Sequence, residues 1–176
     1  MVKKVLSTIF LVVGSIFIFQ GLFDLSKRLG FYKVPVKNIE FEQKVQNVTP
    51  TKISINSLSL NLPVEPTLIK DGGWPTSQIG VSFLANSGNL GNTGNLIFYG
   101  HNWKSLLGDL KKIKVGDKVA LSGSNGQDFL YSVDFIAEVD PSDVSILADS
   151  PDERITLYTC SGFLDQKRLV VVAKRV

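Results

Sequence analysis

Residues 155–176 read ITLYTCSGFLDQKRLVVVAKRV, two apolar runs joined by a short polar connection. Alternation in the first run puts Ile155, Leu157 and Thr159 on one face and Thr156, Tyr158 and Cys160 on the other. Gly162 stops that run, and Leu169 to Val176 resumes as a second strand. The first strand therefore ends in a thiol at the rim of a sheet, where a rigid scaffold usually presents reactive groups.

Working outward, the same period of two recurs. In KISINSLSLNLPV (residues 52–64), Ile53 and Ile55, then Leu58, Leu60 and Leu62, alternate with polar residues, and the slip in phase after Ile55 predicts a bulge or break. Asn95–Gly100, Lys118–Gly123 and Asp128–Val139 read as further strands, with SGSNGQD (122–128) as a hairpin-type turn. Helical signal is thin: Ser105–Ile113 is the best case, and PSDVSILAD after Asp140 reads as one short turn. Strands without βαβ alternation predict a single mainly β domain, a barrel or sandwich with short helices, over residues 52–176.

The front of the chain differs. Val5 to Phe23 form an apolar run of about 19 residues, long enough at 1.5 Å per residue to cross a hydrocarbon core of about 30 Å. It is too long for the apolar part of a signal peptide, and the bulky GLFDLSKRLGF offers no small-x-small cleavage site. Residues 1–4 then precede an anchor over 5–23, and residues 24–51 read as a stalk or amino-terminal extension. Lysines and arginines flank both sides of the anchor, so charge alone does not orient it.

Composition excludes several function classes. With 19 Lys and Arg against 16 Asp and Glu, the net charge is only +3 and the basic residues are scattered, so nucleic acid is not an expected partner. The glycine-rich NSGNLGNTGN (86–95) lacks the Gly-Lys-Ser/Thr ending of a phosphate loop and reads as a flexible turn before a buried strand. One histidine and one cysteine give no zinc spacing, and DPSDVSILADSPDE (140–153) lacks a calcium-loop pattern, so no metal ligands or cofactor are assigned.

A lone cysteine is a buried small hydrophobe, an intermolecular linker or a nucleophile. A nucleophilic thiol needs a nearby base or cation. His101, the sole histidine, stands just past the end of the strand in LIFYGHNW, a position parallel to that of Cys160. Arg168 precedes the last apolar strand, stays charged at any relevant pH and is suited to donating hydrogen bonds to an oxyanion.

TLYTC, with an arginine eight residues on and a histidine in GNLIFYGHN, resembles the sortase family. Its Thr-Leu-x-Thr-Cys motif is matched by Thr156, Leu157, Thr159 and Cys160. The resemblance runs from about Ile53 and takes in GGWPTSQIGV (72–81), LKKIKVGDKV (110–119) and EVDPSDVSIL (138–147). It implies an eight-stranded β-barrel with short helices, anchored by the amino-terminal helix, with a cytoplasmic amino terminus and an extracellular catalytic domain on a mainly Gram-positive cell.

By the same resemblance, Cys160 attacks the Thr-Gly bond of a Leu-Pro-x-Thr-Gly-like sorting signal, His101 moves the protons and Arg168 positions substrate and oxyanion. Thr159 is a substrate-binding candidate. The implied partners are surface proteins bearing the signal and an amine from a cell-wall precursor or a protein lysine. Calcium activation is left open, with no residues assigned.

No Asp-Pro-aromatic lid motif and no second apolar helix after Val176 are found, which favours anchoring of single proteins over pilin polymerisation. The rival readings are a thiol peptidase, in which water resolves the thioester, and a non-catalytic membrane-anchored β-domain with a buried Cys160. The Ser-x-Gly-Cys motif of an L,D-transpeptidase is absent.

Overall fold

The computed structural model describes residues 2–28, 48–70 and 72–176. The greater part of the expected stalk, residues 29–47, lies outside the described residues. Helix α1 spans Val2–Arg28 and is 27 residues long. Among the described residues no helix is long and apolar enough to cross a membrane, so the span expected over residues 5–23 rests on the sequence alone.

The remainder forms eight strands: β1 Pro50–Ile55, β2 Leu60–Thr67, β3 Val81–Leu84, β4 Gly94–Gly100, β5 Lys118–Gly123, β6 Asp128–Val139, β7 Glu153–Ser161 and β8 Lys167–Arg175. They close into a barrel in the order β1-β2-β3-β4-β7-β8-β6-β5, and β5 pairs back onto β1. Closure leaves no unpaired sheet edge. Pairs β2/β3 and β4/β7 are parallel and the others antiparallel.

Alternation assigns the two faces. Ile53, Phe83, Phe98, Leu121, Tyr131, Leu157 and Val171 are buried together in the barrel interior, each large side chain contributing about 1.5–3 kcal/mol. The intervening residues of β3, β4 and β7 build a second apolar cluster on the outer face. Leu84, Ile97, Tyr99 and Leu147 are buried there, with Ile69, Trp74, Val144 and Tyr158 packed against them.

The phase slip after Ile55 is a one-turn 3-10 helix, Asn56–Leu58, that ends with Ser59 at φ 50°. Strand β3 has no counterpart in the sequence reading: at four residues, all buried, it shows no alternation. Ser105–Ile113 forms only a 3-10 helix over Gly108–Lys112. The N–H groups of Leu106 and Gly108 both donate to Trp103 O, which makes tight turns in place of an α-helical ladder.

The loop over residues 86–95 closes back on β4. Gly88 N donates to Asn95 O at 2.9 Å and Ser87 Oγ accepts from Ile97 N at 3.1 Å. A Cβ at Gly88 would lie 2.8 Å from Asn95 N, so the glycine permits a close backbone approach, which explains the composition without a phosphate.

At the end of the barrel where β4 and β7 begin, Tyr131 Oη donates to Glu153 Oε1 at 2.6 Å, and Gly91 N donates to the same oxygen at 3.1 Å. The Arg175 guanidinium lies over the Phe129 and Tyr131 rings at 5.2 and 5.7 Å.

Candidate functional site

The parallel register of β4 on β7 pairs Gly100 with Thr159, so both strands finish at the same rim. His101 is the first residue past β4. Cys160 is the next-to-last residue of β7 and pairs directly with Arg168, the second residue of β8. Adjacent strands run about 4.8 Å apart. Three neighbouring strand ends thus carry an imidazole, a thiol and a guanidinium.

Parity puts them on one side. Tyr158 and Tyr99 belong to the outer cluster, whereas Leu169 and Val171 are interior. Continuing each alternation places Cys160, His101 and Arg168 at the top of the outer face. The apolar wall below them is made by Trp74 from the β2–β3 connection and by Val144 and Leu147 from the β6–β7 connection. Trp74 meets Tyr99 edge-on at 5.0 Å and stacks on Tyr158 at 6.4 Å.

Thr159 is turned the other way. It is buried, and its hydroxyl donates to Gly100 O at 2.8 Å. It ties the strand that leads to His101 to the strand that carries Cys160.

Arg168 is oriented by its own loop, with Nη1 donating to Asp165 O at 2.8 Å and Lys167 O at 2.9 Å. Leu164 and Asp165 both have left-handed backbone, with φ 52° and 61°, uncommon for residues other than glycine. Asn102 Nδ2, next to His101, donates to Asp165 Oδ1 at 2.8 Å and links the loops after β4 and β7.

Partial burial pushes the Cys160 thiol above its ordinary range; the charge of Arg168 opposes this and that of Asp165 adds to it. Burial holds His101 below the ordinary imidazole value. Both directions favour the uncharged forms, a neutral thiol and a neutral imidazole, while Arg168 stands opposite Cys160 across the strand pair.

The sequence reading named His101, Cys160 and Arg168, and the structure brings their strand ends together. It missed Trp74, Gln78, Asn102, Trp103 and Asp165. Trp103, two residues past the sole histidine, was the one with a local signal; Gln78 had none.

A closed mixed barrel with a cysteine, a histidine and an arginine at adjacent strand ends defines a class, a β-barrel protein organised around one rim thiol. The family model described as the sortase domain matches residues 53–176, and the chain belongs to the sortase family. It is 32% identical over 125 residues to sortase A of Bacillus anthracis, covering 69% of this chain and 57% of that protein. The chain thus spans little more than half the length of the curated relatives it matches. Among solved structures, the lid mutant of sortase A from Corynebacterium diphtheriae superposes with a TM-score of 0.63 at 30% identity, covering 71% of this chain and 68% of that one. Sortase C1 from Streptococcus agalactiae gives 0.63 at 29% identity, with 72% and 66% covered. Both A-type and C-type sortases are similar to this chain, so the likeness fixes the family and not the subtype.

Proposed function

We propose that this protein is a cysteine transpeptidase of the cell surface that cuts a Leu-Pro-x-Thr-Gly-like sorting signal between Thr and Gly and joins the new carboxyl end to an amine. The observation that carries the reading is the convergence of His101, Cys160 and Arg168 on one face at three neighbouring strand ends. Family membership and the likeness to sortases A and C support it.

His101 takes the proton of the Cys160 thiol, the thiolate attacks the Thr carbonyl carbon, and Arg168 donates hydrogen bonds to the oxyanion. His101 protonates the glycine nitrogen as the C–N bond breaks, leaving a thioester. An amine from a cell-wall precursor or a protein lysine then attacks the thioester, His101 accepts its proton, and the departing Cys160 thiolate takes that proton back from His101 to restore the thiol. The outer apolar wall of Trp74, Tyr158 and Val144 is the surface against which the signal's leucine and proline lie. Single-protein anchoring is favoured over pilin polymerisation because the sequence has no Asp-Pro-aromatic lid motif.

The apolar run over residues 5–23 anchors the chain, with its amino terminus cytoplasmic and the barrel outside.

The test mixes the full chain in detergent with a Leu-Pro-x-Thr-Gly peptide library and oligoglycine, with products read by mass spectrometry beside Cys160→Ala. Ligation that requires Cys160 is the expected result. Cleavage without ligation in every amine tried assigns a thiol peptidase. No reaction, together with a Cys160 that resists iodoacetamide, assigns a non-catalytic domain.

A further inference from the structure

The imidazole of His101 has two neighbours that the proton-transfer scheme does not use. Gln78, between β2 and β3, brings its amide nitrogen Nε2 to 3.2 Å from His101 Nε2. Trp103 lays its indole parallel to the imidazole, with centroids 4.2 Å apart and planes 5° from parallel.

Both are set on fixed backbone. His101 O accepts from Leu107 N at 3.1 Å, and Trp103 O accepts from Leu106 N at 2.9 Å and Gly108 N at 2.8 Å. On the other side, the Ser77 hydroxyl accepts from Ile79 N at 3.2 Å and Gly80 N at 2.9 Å, closing the turn that holds Gln78. Ser77 is itself buried, with its N–H donating to Ser82 Oγ at 2.8 Å.

An amide nitrogen only donates, so a neutral imidazole in this contact accepts at Nε2 and carries its one proton on Nδ1. We propose that Gln78 and Trp103 are positioning residues: Gln78 holds resting His101 in the Nδ1–H tautomer, and Trp103 fixes the plane of the ring. Nε2 then faces the exposed amide of Gln78. The role in turnover rests on the transpeptidase reading; the tautomer rests on geometry alone.

Because the chain has one histidine, the ring gives a single set of nitrogen signals. The experiment uses the full chain in detergent micelles, made without a histidine tag, labelled with nitrogen-15 in histidine and held well above the imidazole's ordinary pKa. The expected spectrum shows a protonated Nδ1 and an unprotonated Nε2, the reverse of the preference of free histidine. Gln78→Glu, which only accepts, moves the proton to Nε2. Gln78→Leu restores the solution preference and lowers kcat about three- to tenfold at unchanged KM, the share of one hydrogen bond.

Trp103→Leu removes the upfield ring-current shift of the imidazole C–H protons, and Trp103→Phe keeps part of it. A wild-type ring in the Nε2–H form, or a tautomer indifferent to Gln78, overturns the assignment to Gln78. Ring shifts indifferent to Trp103 overturn the stacking. A chain that ligates no peptide yet holds Nδ1–H keeps this inference and removes the transpeptidase reading, and active enzyme with an Nε2–H ring does the opposite.

Discussion

Gly108→Ala tests whether placement of the His101 loop governs activity. A Cβ added at Gly108 would lie 2.5 Å from Asn102 O and 2.7 Å from both the carbonyl carbon and the oxygen of Trp103. All three atoms are backbone, so no side-chain rotation relieves the contact. The cost is steric, because Gly108 is not among the residues with left-handed backbone.

Reaching an ordinary contact of 3.4 Å requires the segment just after His101 to retreat by about 0.7–0.9 Å. Overpacking of this kind costs about 1–3 kcal/mol, and so lowers Tm by roughly 3–10 °C for a domain of this size. A misplacement near 1 Å costs on the order of 10²-fold in rate. The expected result is a ligation kcat/KM about a hundredfold lower, with the alkylation rate of Cys160 on β7 nearly unchanged. Peptide ligation kinetics, thermal melting and iodoacetamide labelling on one preparation read all three. Full activity at a lowered Tm would refute the reasoning, since the loop would then tolerate displacement.

The remaining outcomes follow from the charges and the buried phenol. The ordinary values of 9.0 for the thiol and 6.5 for the imidazole make a thiolate–imidazolium pair only about 1 in 300 of the neutral pair. Burial moves the two further apart, so kcat/KM rises through a limb below pH 6.5, stays level across neutrality and falls above pH 9.0; a narrow optimum inside that interval contradicts this. Arg168→Lys keeps the charge but loses the planar fork, and kcat falls by about 10²–10³-fold, the value of an oxyanion donor, as single-turnover kinetics would read. Burial and then the hydrogen bond to Glu153 push the Tyr131 phenol far above its ordinary 10.0. The stability this represents is fully present below pH 10 and is lost as pH rises beyond it. Urea titrations should therefore show wild type weakening above pH 10, with Tyr131→Phe less stable at neutral pH by about 1–3 kcal/mol but with a flatter alkaline dependence.

How far the sequence was legible follows from the range of the interactions involved. Alternation in residues 155–160 is local, because successive side chains point to opposite faces whatever the partner strand. It separated Leu157 from Tyr158 and Cys160 before any pairing was known, and it marked the break after Ile55. It failed at Val81–Leu84, where both faces are covered and no alternation survives.

Which strand ends meet is a different matter, since backbone donors and acceptors are the same in every strand. The parallel pairing of Gly100 with Thr159 comes from barrel closure, with β5 and β6 passing round the far side. Gln78 reaches His101 only because the turn at Ser77 closes over the rim. The chain's own pattern thus determined a strand-rich domain and the three side chains suited to acyl transfer. Tertiary packing decided their common face, their partial burial, and the amide and indole that lie against the imidazole.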